Sequence, residues 1–341
     1  MHSGMDTTLK NLIVFDMDGV IMDVSQSYRE TIRRTATYFF QGAPAYEDLP
    51  NPLFSLEDLA KVKQSGGLNN DWETTYLVVS LLLTQVELPD MGQENDSRQL
   101  LQETMAHCDL SRLISFLKSR SFPLSDLLHS SDPVENPLVK QLSAGDVGSG
   151  NIVKQIFQEI YLGKNLFETT YRIPVATHFD KGLIDQERLI IDPSLLETLS
   201  RHHILAIATG RPEAEAAYPL KRFGIQDYFS MVLTLDDCMA AAQKHEAQTG
   251  EQISLSKPHP FMLDVIARAF AGKVKKNYYI GDMPDDMVAA QRAVSGFTGI
   301  GVAMAATGRH RVKNMLMQAG ADHVIDDVTQ LENVLSGNEL R

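Results

Sequence analysis

The chain has 341 residues, more than one compact core usually holds, so its length predicts two domains. Apolar residues make up 43% of the chain and charged residues 22%, which excludes a disordered or fibrous protein. The formal net charge of −13 opposes binding to the phosphates of nucleic acids, whereas a small phosphorylated substrate stays compatible with it.

Cysteine content and apolar runs predict a cytoplasmic protein without a membrane segment. Cys108 and Cys238 are too few and too far apart for a disulfide framework or a zinc site. Residues 1–10 lack the apolar centre of a secretory signal. The longest apolar run, residues 76–83, is too short to span a bilayer. The oligomeric state stays open, and a homo-oligomer is compatible with the sequence.

The first predicted element is a buried strand over residues 11–15, and two closely spaced carboxylates follow it. Asp16 and Asp18 are separated by one residue and are followed by Gly19. Aspartate is common in turns, so the pair alone is equally compatible with a simple strand end. Its meaning therefore depends on which other side chains reach the same place.

Residues 24–180 predict helices rather than strands. Polar and glycine-rich composition predicts loops at 87–99 and 143–151. Apolar residues recur at helical spacing in 25–40, 55–67, 72–83, 109–120 and 151–163.

From residue 181 onwards, short apolar runs alternate with helical stretches. These runs begin at Ile204, Met231, Asn277, Phe297 and His323. The alternation predicts an α/β fold in which a doubly wound parallel sheet has helices on both faces. Because the first strand belongs to the same series, we expect an α/β core from residues 1–23 and 181–341, interrupted by a mostly helical insertion, 24–180.

Polar side chains follow the core strands at the edge where open parallel sheets bind ligands. Thr209 and Gly210 follow the second core strand, and Asp282 and Asp286 follow the fourth. Lys257 precedes a predicted helix. Taken singly, each is compatible with a turn, a solvated lysine or a helix cap. Together they place acids, a hydroxyl and a lysine at one edge of the sheet.

This set resembles the motifs of the haloacid dehalogenase superfamily. VFDMDGV contains Asp16 and Asp18, ATGRP contains Thr209, SKPHP contains Lys257, and IGDMPDDM contains Asp282 and Asp286, in that order. The resemblance implies a Rossmann-like core, a helical cap formed by the insertion, and a phosphatase. The stretch GGLNNDW, residues 66–72, resembles a cap feature of one branch of the superfamily.

The resemblance also implies a role for each motif residue. Asp16 would attack phosphorus and form an aspartyl phosphate, while Asp18 would act as general acid and base. The implied cofactor is Mg²⁺, held by Asp16, Asp282 and the main-chain carbonyl of Asp18. Asp286 would lie beyond these ligands and orient Lys257 or a metal-bound water.

Phosphate binding is assigned to neutral and cationic groups around the same edge. The Thr209 hydroxyl, Lys257 and the backbone N–H groups near Met17 and Gly210 would hold the phosphate. Arg29, on the first helix of the insertion, is a candidate for a second anionic group of the substrate, although a solvated helix face explains it as well.

The predicted function is a Mg²⁺-dependent phosphatase of small phosphorylated metabolites, with phosphoglycolate-like and sugar-phosphate-like substrates among them. A phosphomutase would use the same aspartates and is the alternative enzyme. A catalytically idle binding or regulatory protein is expected to lack at least one of three acids and a lysine, but Asp16, Asp18, Asp282 and Lys257 are all present. Dehalogenation has no use for Asp18.

Overall fold

The protein consists of two compact units, and one of them is built from two separate parts of the chain. The first unit contains Met1–Asp23 and Arg188–Arg341, and the second contains Val24–Glu187. The structure is a computed structural model that describes residues 9–66, 70–90, 96–130, 136–304 and 308–336.

Six parallel strands form the central sheet of the first unit, in the spatial order β5-β4-β1-β6-β7-β8. The short strands β2 and β3 pair antiparallel, apart from it. Strand bounds are β1 Lys10–Phe15, β2 Met22–Asp23, β3 Arg188–Leu189, β4 Ile204–Ala208, β5 Phe229–Leu233, β6 Val274–Gly281, β7 Thr298–Val302 and β8 His323–Ile325.

The chain direction across the sheet reverses beside β1. From β1 the chain passes outward to β4 and β5, and it then returns to the other side of β1 for β6, β7 and β8. Right-handed crossovers that run in opposite directions place their helices on opposite faces of the sheet. The predicted doubly wound α/β fold is confirmed, and its ligand-binding crevice belongs at the carboxyl ends of β1 and β6.

Helices make up most of the second unit, Val24–Glu187. Their bounds are α1 Tyr28–Phe39, α2 Leu56–Gly66, α3 Asp71–Leu83, α4 Ser97–Ala106, α5 Ser111–Ser119, α6 Pro123–Ser130, α7 Pro137–Leu142 and α8 Ile152–Tyr171. Each of the five helical stretches expected from the sequence overlaps one of these helices, namely α1, α2, α3, α5 and α8. Residues 67–69 of GGLNNDW lie outside the described residues.

Two features of this unit differ from the sequence-based expectation. Residues 87–99 do not all form a loop, because α4 begins at Ser97 and the Asp96 carboxylate accepts hydrogen bonds from Arg98 N at 2.8 Å and Gln99 N at 3.0 Å. Helix α8 kinks at Gly163, where the dihedral angles are non-helical (φ 69°, ψ 169°), so the stretch expected to end at residue 163 is followed by a second helical segment that runs to Tyr171.

The boundary between the units falls at residue 187 rather than at residue 180. Glu187 is 1% exposed, and its carboxylate accepts hydrogen bonds from Ser27 Oγ at 3.0 Å and Tyr161 Oη at 2.8 Å. The backbones of Gly163 and Gly182 also lie so close together that a Cβ atom on either would overlap the other segment. These contacts join residues 181–187 to the helical unit.

The helices of the first unit surround its sheet. Their bounds are α9 Pro193–His202, α10 Glu213–Arg222, α11 Leu235–Thr249, α12 Phe261–Ala269, α13 Pro284–Arg292, α14 Arg309–Gln318 and α15 Leu331–Leu335. Within the described part of the chain, no helix combines the length and the apolarity that crossing a bilayer requires.

Candidate active site

The ends of β1 and β6 bring Asp16 and Asp282 to the same edge of the sheet. Phe15 pairs with Ile280 in the parallel register, and Asp16 N donates a hydrogen bond to Ile280 O at 2.7 Å. Both strands are buried at these ends, which is why their apolar residues fix the register. The two aspartates therefore lie where each strand leaves the sheet.

The loop after β1 turns directly against Asp282. Gly19 has a φ of +72°, and a Cβ atom at this position would overlap the Asp282 carboxylate. Its N–H donates to Met22 O at 2.8 Å, which closes the turn. Only glycine meets both the conformational and the steric requirement, so Gly19 allows the loop and the carboxylate to approach.

Three carboxylates gather at this edge. Oxygens of Asp16, Asp282 and Asp286 all lie within 4.8 Å of one another. Burial raises the pKa of Asp16 to about 7; ion pairing with Lys257 opposes the rise, and the Asp286 carboxylate adds to it. Burial also raises the pKa of Asp282 well above its usual range, with Asp16 and Asp286 adding to the rise. A cation at this cluster would therefore favour the charged forms of these carboxylates.

Lys257 supplies one positive charge to the cluster. Its Nζ lies 2.7 Å from Asp16 Oδ1 and 2.8 Å from Asp286 Oδ1. Burial acts to lower the pKa of Lys257, but the Asp16 and Asp286 carboxylates outweigh it and hold that pKa well above the usual range. Lys257 is therefore a fixed cation between two of the three acids.

Asp286 is held on both of its oxygens. Tyr279 Oη donates to Oδ1 at 2.8 Å, on the same oxygen that Lys257 contacts. Met283 N donates to Oδ2 at 3.0 Å, which caps the start of α13. With its oxygens engaged in this way, Asp286 is suited to orienting Lys257.

Asp18 pairs with a different cation, Arg211. Arg211 Nε donates to Asp18 Oδ1 at 2.7 Å, and Arg211 Nη2 lies 2.6 Å from the same oxygen. The Asp18 side chain is 34% exposed, whereas that of Arg211 is 1% exposed. The two aspartates of the β1 loop therefore have different cationic partners.

The remaining candidate residues occupy different environments. Thr209 is buried, and its Oγ1 accepts a hydrogen bond from Arg211 N at 3.2 Å. Met17 is fully buried, and the space where Gly210 would carry a Cβ atom is open to 4 Å. Arg29 lies exposed on α1, which belongs to the helical unit.

A family model matches residues 10–293, which include every residue of the cluster, and its description is a haloacid dehalogenase-like hydrolase. The chain belongs to this family. The resemblance seen in the sequence motifs is thereby confirmed.

Relatives of this haloacid dehalogenase-like hydrolase are distant. An imidazoleglycerol-phosphate dehydratase of Phytophthora nicotianae is 24% identical over 283 residues, with 82% of this chain and 41% of that protein covered. A phosphoglycolate phosphatase of Haemophilus influenzae (strain 86-028NP) is 25% identical, with 46% of this chain and 62% of that protein covered. The chain thus spans between about two fifths and three fifths of the curated relatives it matches.

Solved structures share the fold of this haloacid dehalogenase-like hydrolase. One structural-genomics target has a TM-score of 0.66 at 23% identity, with 96% of this chain and 99% of that chain covered. A phosphatase, Tt82, from Thermococcus thioreducens has a TM-score of 0.54 at 19% identity, with the same coverage.

The donor set of this family member fits Mg²⁺. Carboxylate oxygens are the ligands that Mg²⁺ prefers, and it keeps several waters rather than filling its shell with protein atoms. Asp16 and Asp282 supply such oxygens within the 4.8 Å cluster, and burial, together with the neighbouring carboxylates, raises both of their pKa values, a cost of charge that a divalent cation would offset.

Sequence reasoning missed two residues of this site, Arg211 and Tyr279. Arg211 stands two positions after Thr209 at the end of β4, so its place at the ligand-binding edge was a usable signal. Tyr279 lies inside the apolar run of β6, where a tyrosine is expected to be a core residue. Only the packing of β6 against α13 shows that its hydroxyl reaches Asp286.

Proposed function

We propose that the protein is a Mg²⁺-dependent phosphatase that hydrolyses a small phosphorylated metabolite through an aspartyl phosphate on Asp16. The observation that carries the proposal is the position of Asp16, buried at the end of β1, 2.7 Å from Lys257 Nζ and clustered with Asp282. A carboxylate held beside cationic charge is suited to attack phosphorus, because phosphoryl transfer depends mainly on positioning and charge stabilisation.

In the first step, an Asp16 oxygen forms a bond to phosphorus while the bond from phosphorus to the leaving oxygen breaks. Asp18 gives its proton to that oxygen, so an alcohol departs and Asp18 is left as a carboxylate. Lys257 and the Thr209 hydroxyl hold the phosphoryl oxygens. In the second step, a water oxygen attacks phosphorus, Asp18 takes its proton, and Asp16 is released with inorganic phosphate.

Asp16, Asp282 and the main-chain carbonyl of Asp18 would hold Mg²⁺, and Asp286 would orient Lys257. The ion supplies positive charge that offsets the repulsion between the substrate phosphate and Asp16. The helical unit would act as a cap that selects the substrate, with Arg29 as a candidate for a second anionic group. A cytoplasmic location and a homo-oligomer stay predictions.

A panel of phosphorylated metabolites assayed for phosphate release with Mg²⁺ tests the proposal. The names of the relatives put 2-phosphoglycolate and imidazoleglycerol phosphate in the panel, beside sugar phosphates, nucleotides and 4-nitrophenyl phosphate. We expect release that EDTA abolishes and Mg²⁺ restores. Phosphoryl transfer between hydroxyls of one substrate without release would instead indicate the phosphomutase.

The Asp16→Asn variant tests the nucleophile. We expect it to lose turnover and to form no adduct with beryllium fluoride, because an amide does not attack phosphorus as a carboxylate does. Asp285→Asn, one residue before Asp286, is the matched control, and we expect it to keep activity. Turnover by Asp16→Asn at the rate of the unchanged protein would contradict the mechanism.

A further inference from the structure

Arg211 is a buried arginine, and each of its three guanidinium nitrogens contacts a protein oxygen. Its Nε and Nη2 contact Asp18 Oδ1 at 2.7 and 2.6 Å, and its Nη1 donates to Glu215 O at 3.2 Å. Its main chain is fixed as well, since Arg211 N donates to Thr209 Oγ1 and Arg211 O accepts from Leu235 N at 2.9 Å. A guanidinium held this way is a rigid anchor for its partner.

The Asp18 carboxylate is anchored by one oxygen only. Both arginine contacts fall on Oδ1, and Oδ2 accepts no hydrogen bond from the residues that the structure describes. The main chain is bound on the far side of the turn, where Gly19 N donates to Met22 O and Asp18 forms an isolated bridge with Met22. Arg211 therefore holds the Asp18 carboxylate through one oxygen.

We propose that Arg211 is a positioning residue for the hydrolysis: it holds Oδ1 of Asp18 and so assigns proton transfer to Oδ2. The inference rests on the proposed function. In the first step, the proton on Oδ2 passes to the leaving oxygen, which also keeps the electron pair of the broken bond to phosphorus. In the second step, Oδ2 takes a proton from the attacking water.

The forked shape of the arginine guanidinium matters for this role. A lysine at position 211 has a single ammonium group, so it is unable to contact Asp18 and the Glu215 carbonyl with the same geometry. Arg211→Lys therefore keeps the charge but loosens the anchor, whereas Arg211→Met removes both. Arg222, exposed at the end of α10, gives the matched control Arg222→Met.

The test uses substituted phenyl phosphates, from 4-nitrophenyl to 4-methoxyphenyl, with Mg²⁺. General acid catalysis contributes about 100-fold or more, and mainly to poor leaving groups. We expect Arg211→Met to lose roughly 100-fold in kcat/KM on 4-methoxyphenyl phosphate. On 4-nitrophenyl phosphate the loss should be smaller by a factor of about ten or more. Arg211→Lys should recover part of this loss, and Arg222→Met should match the unchanged protein.

A double variant separates positioning from a general effect on folding. If Arg211 acts through Asp18, adding Arg211→Met to Asp18→Asn should change kcat/KM by less than about threefold, because the two changes remove one interaction. Thermal unfolding identifies the variants that fold. If Arg211→Met does not fold, the same comparison is made with Arg211→Lys. Equal losses across the phosphate series, or full additivity in the double variant, would overturn the role.

Crystal structures supply a readout that does not depend on activity. We expect the Asp18 side chain to change position in Arg211→Met while the Asp16–Lys257 pair stays in place. An unmoved Asp18 would overturn the anchor. The proposed function fails separately if the unchanged protein releases no phosphate from any ester. If the unchanged protein is active but the Arg211 variants lose kcat/KM equally on every ester, only the positioning role is overturned.

Discussion

A single hydroxyl orders the carboxylate that faces Lys257. Tyr279 is fully buried on β6, and its Oη lies 2.8 Å from Asp286 Oδ1 and 3.4 Å from Ala208 O. Burial raises the pKa of Tyr279 well above its usual range, and the Asp286 carboxylate adds to the rise, so the phenol stays protonated and donates. The position of Asp286 thus depends on Tyr279 as well as on Lys257 and Met283.

Replacing Tyr279 by phenylalanine should loosen Asp286 without changing the charge of the site. We expect a loss of about 1 kcal/mol in the free energy of unfolding, the usual contribution of one hydrogen bond, and a fall of several-fold in phosphate release. Urea unfolding and kcat measure the two effects. Tyr278→Phe, next along β6 and equally part of the core, is the control, and equal effects in both variants would contradict the prediction.

The residues of the candidate site were predictable where they follow a strand, and their pairing was not. Asp16, Thr209 and Asp282 stand at strand ends, which the apolar runs before them indicate. The contact between Asp18 and Arg211 joins positions 193 residues apart. It depends on β4 lying beside β1, and strand order is a property of the whole sheet rather than of either segment.

The turn after β1 is the element on which the carboxylate cluster depends. Gly19 combines a positive φ with contact against Asp282, whereas Gly224 has a similar φ, +66°, and nothing within 4 Å of a Cβ atom placed there. Comparing substitutions at the two glycines therefore separates the cost of backbone strain from the cost of steric overlap.

Alanine substitution at both glycines measures that difference. Gly224→Ala should cost about 1 kcal/mol in the free energy of unfolding, which is the strain of a positive φ. Gly19→Ala should cost at least about 1 kcal/mol more, because Asp282 must also move. Urea unfolding measures both, and calorimetry should show weaker Mg²⁺ binding only for Gly19→Ala. Equal costs and equal Mg²⁺ binding would contradict this account.

Secondary structure was predicted best where apolar runs are bounded by glycine or aspartate. The five later core runs all overlap observed strands, from β4 to β8. The start of α4 was missed because Asp96 acts as a helix cap inside a polar stretch that resembles a loop. The boundary at residue 187 was missed because it is set by the buried side chain of Glu187, whose partners Ser27 and Tyr161 lie far away in sequence.

At the scale of the whole molecule, each unit contains one buried thiol. Cys108 in the helical unit is 3% exposed, and Cys238 in the α/β unit is 2% exposed. Burial raises the pKa of Cys238 to about 11 and also raises the pKa of Cys108. Because the thiolate is the reactive form, both should resist thiol reagents in the native protein.

The single-cysteine variants Cys238→Ser and Cys108→Ser should report the opening of each unit separately. At pH 8 we expect both to react with Ellman's reagent far more slowly than free cysteine does, and to speed up in urea as the unit that holds the thiol opens. The unchanged protein in full denaturant should give two reactive thiols. Native variants that react at the rate of free cysteine would contradict the burial of the thiols.

The discontinuous make-up of the α/β unit has a consequence for biosynthesis. Strand β1 leaves the ribosome before its neighbours β4 and β6, which are translated only after all of Val24–Glu187. Until then the apolar stretch Leu12–Phe15 has no strand to pair with, whereas the helical unit has all of its residues before β4 is translated. The sheet of the α/β unit is therefore begun before the helical unit and completed after it.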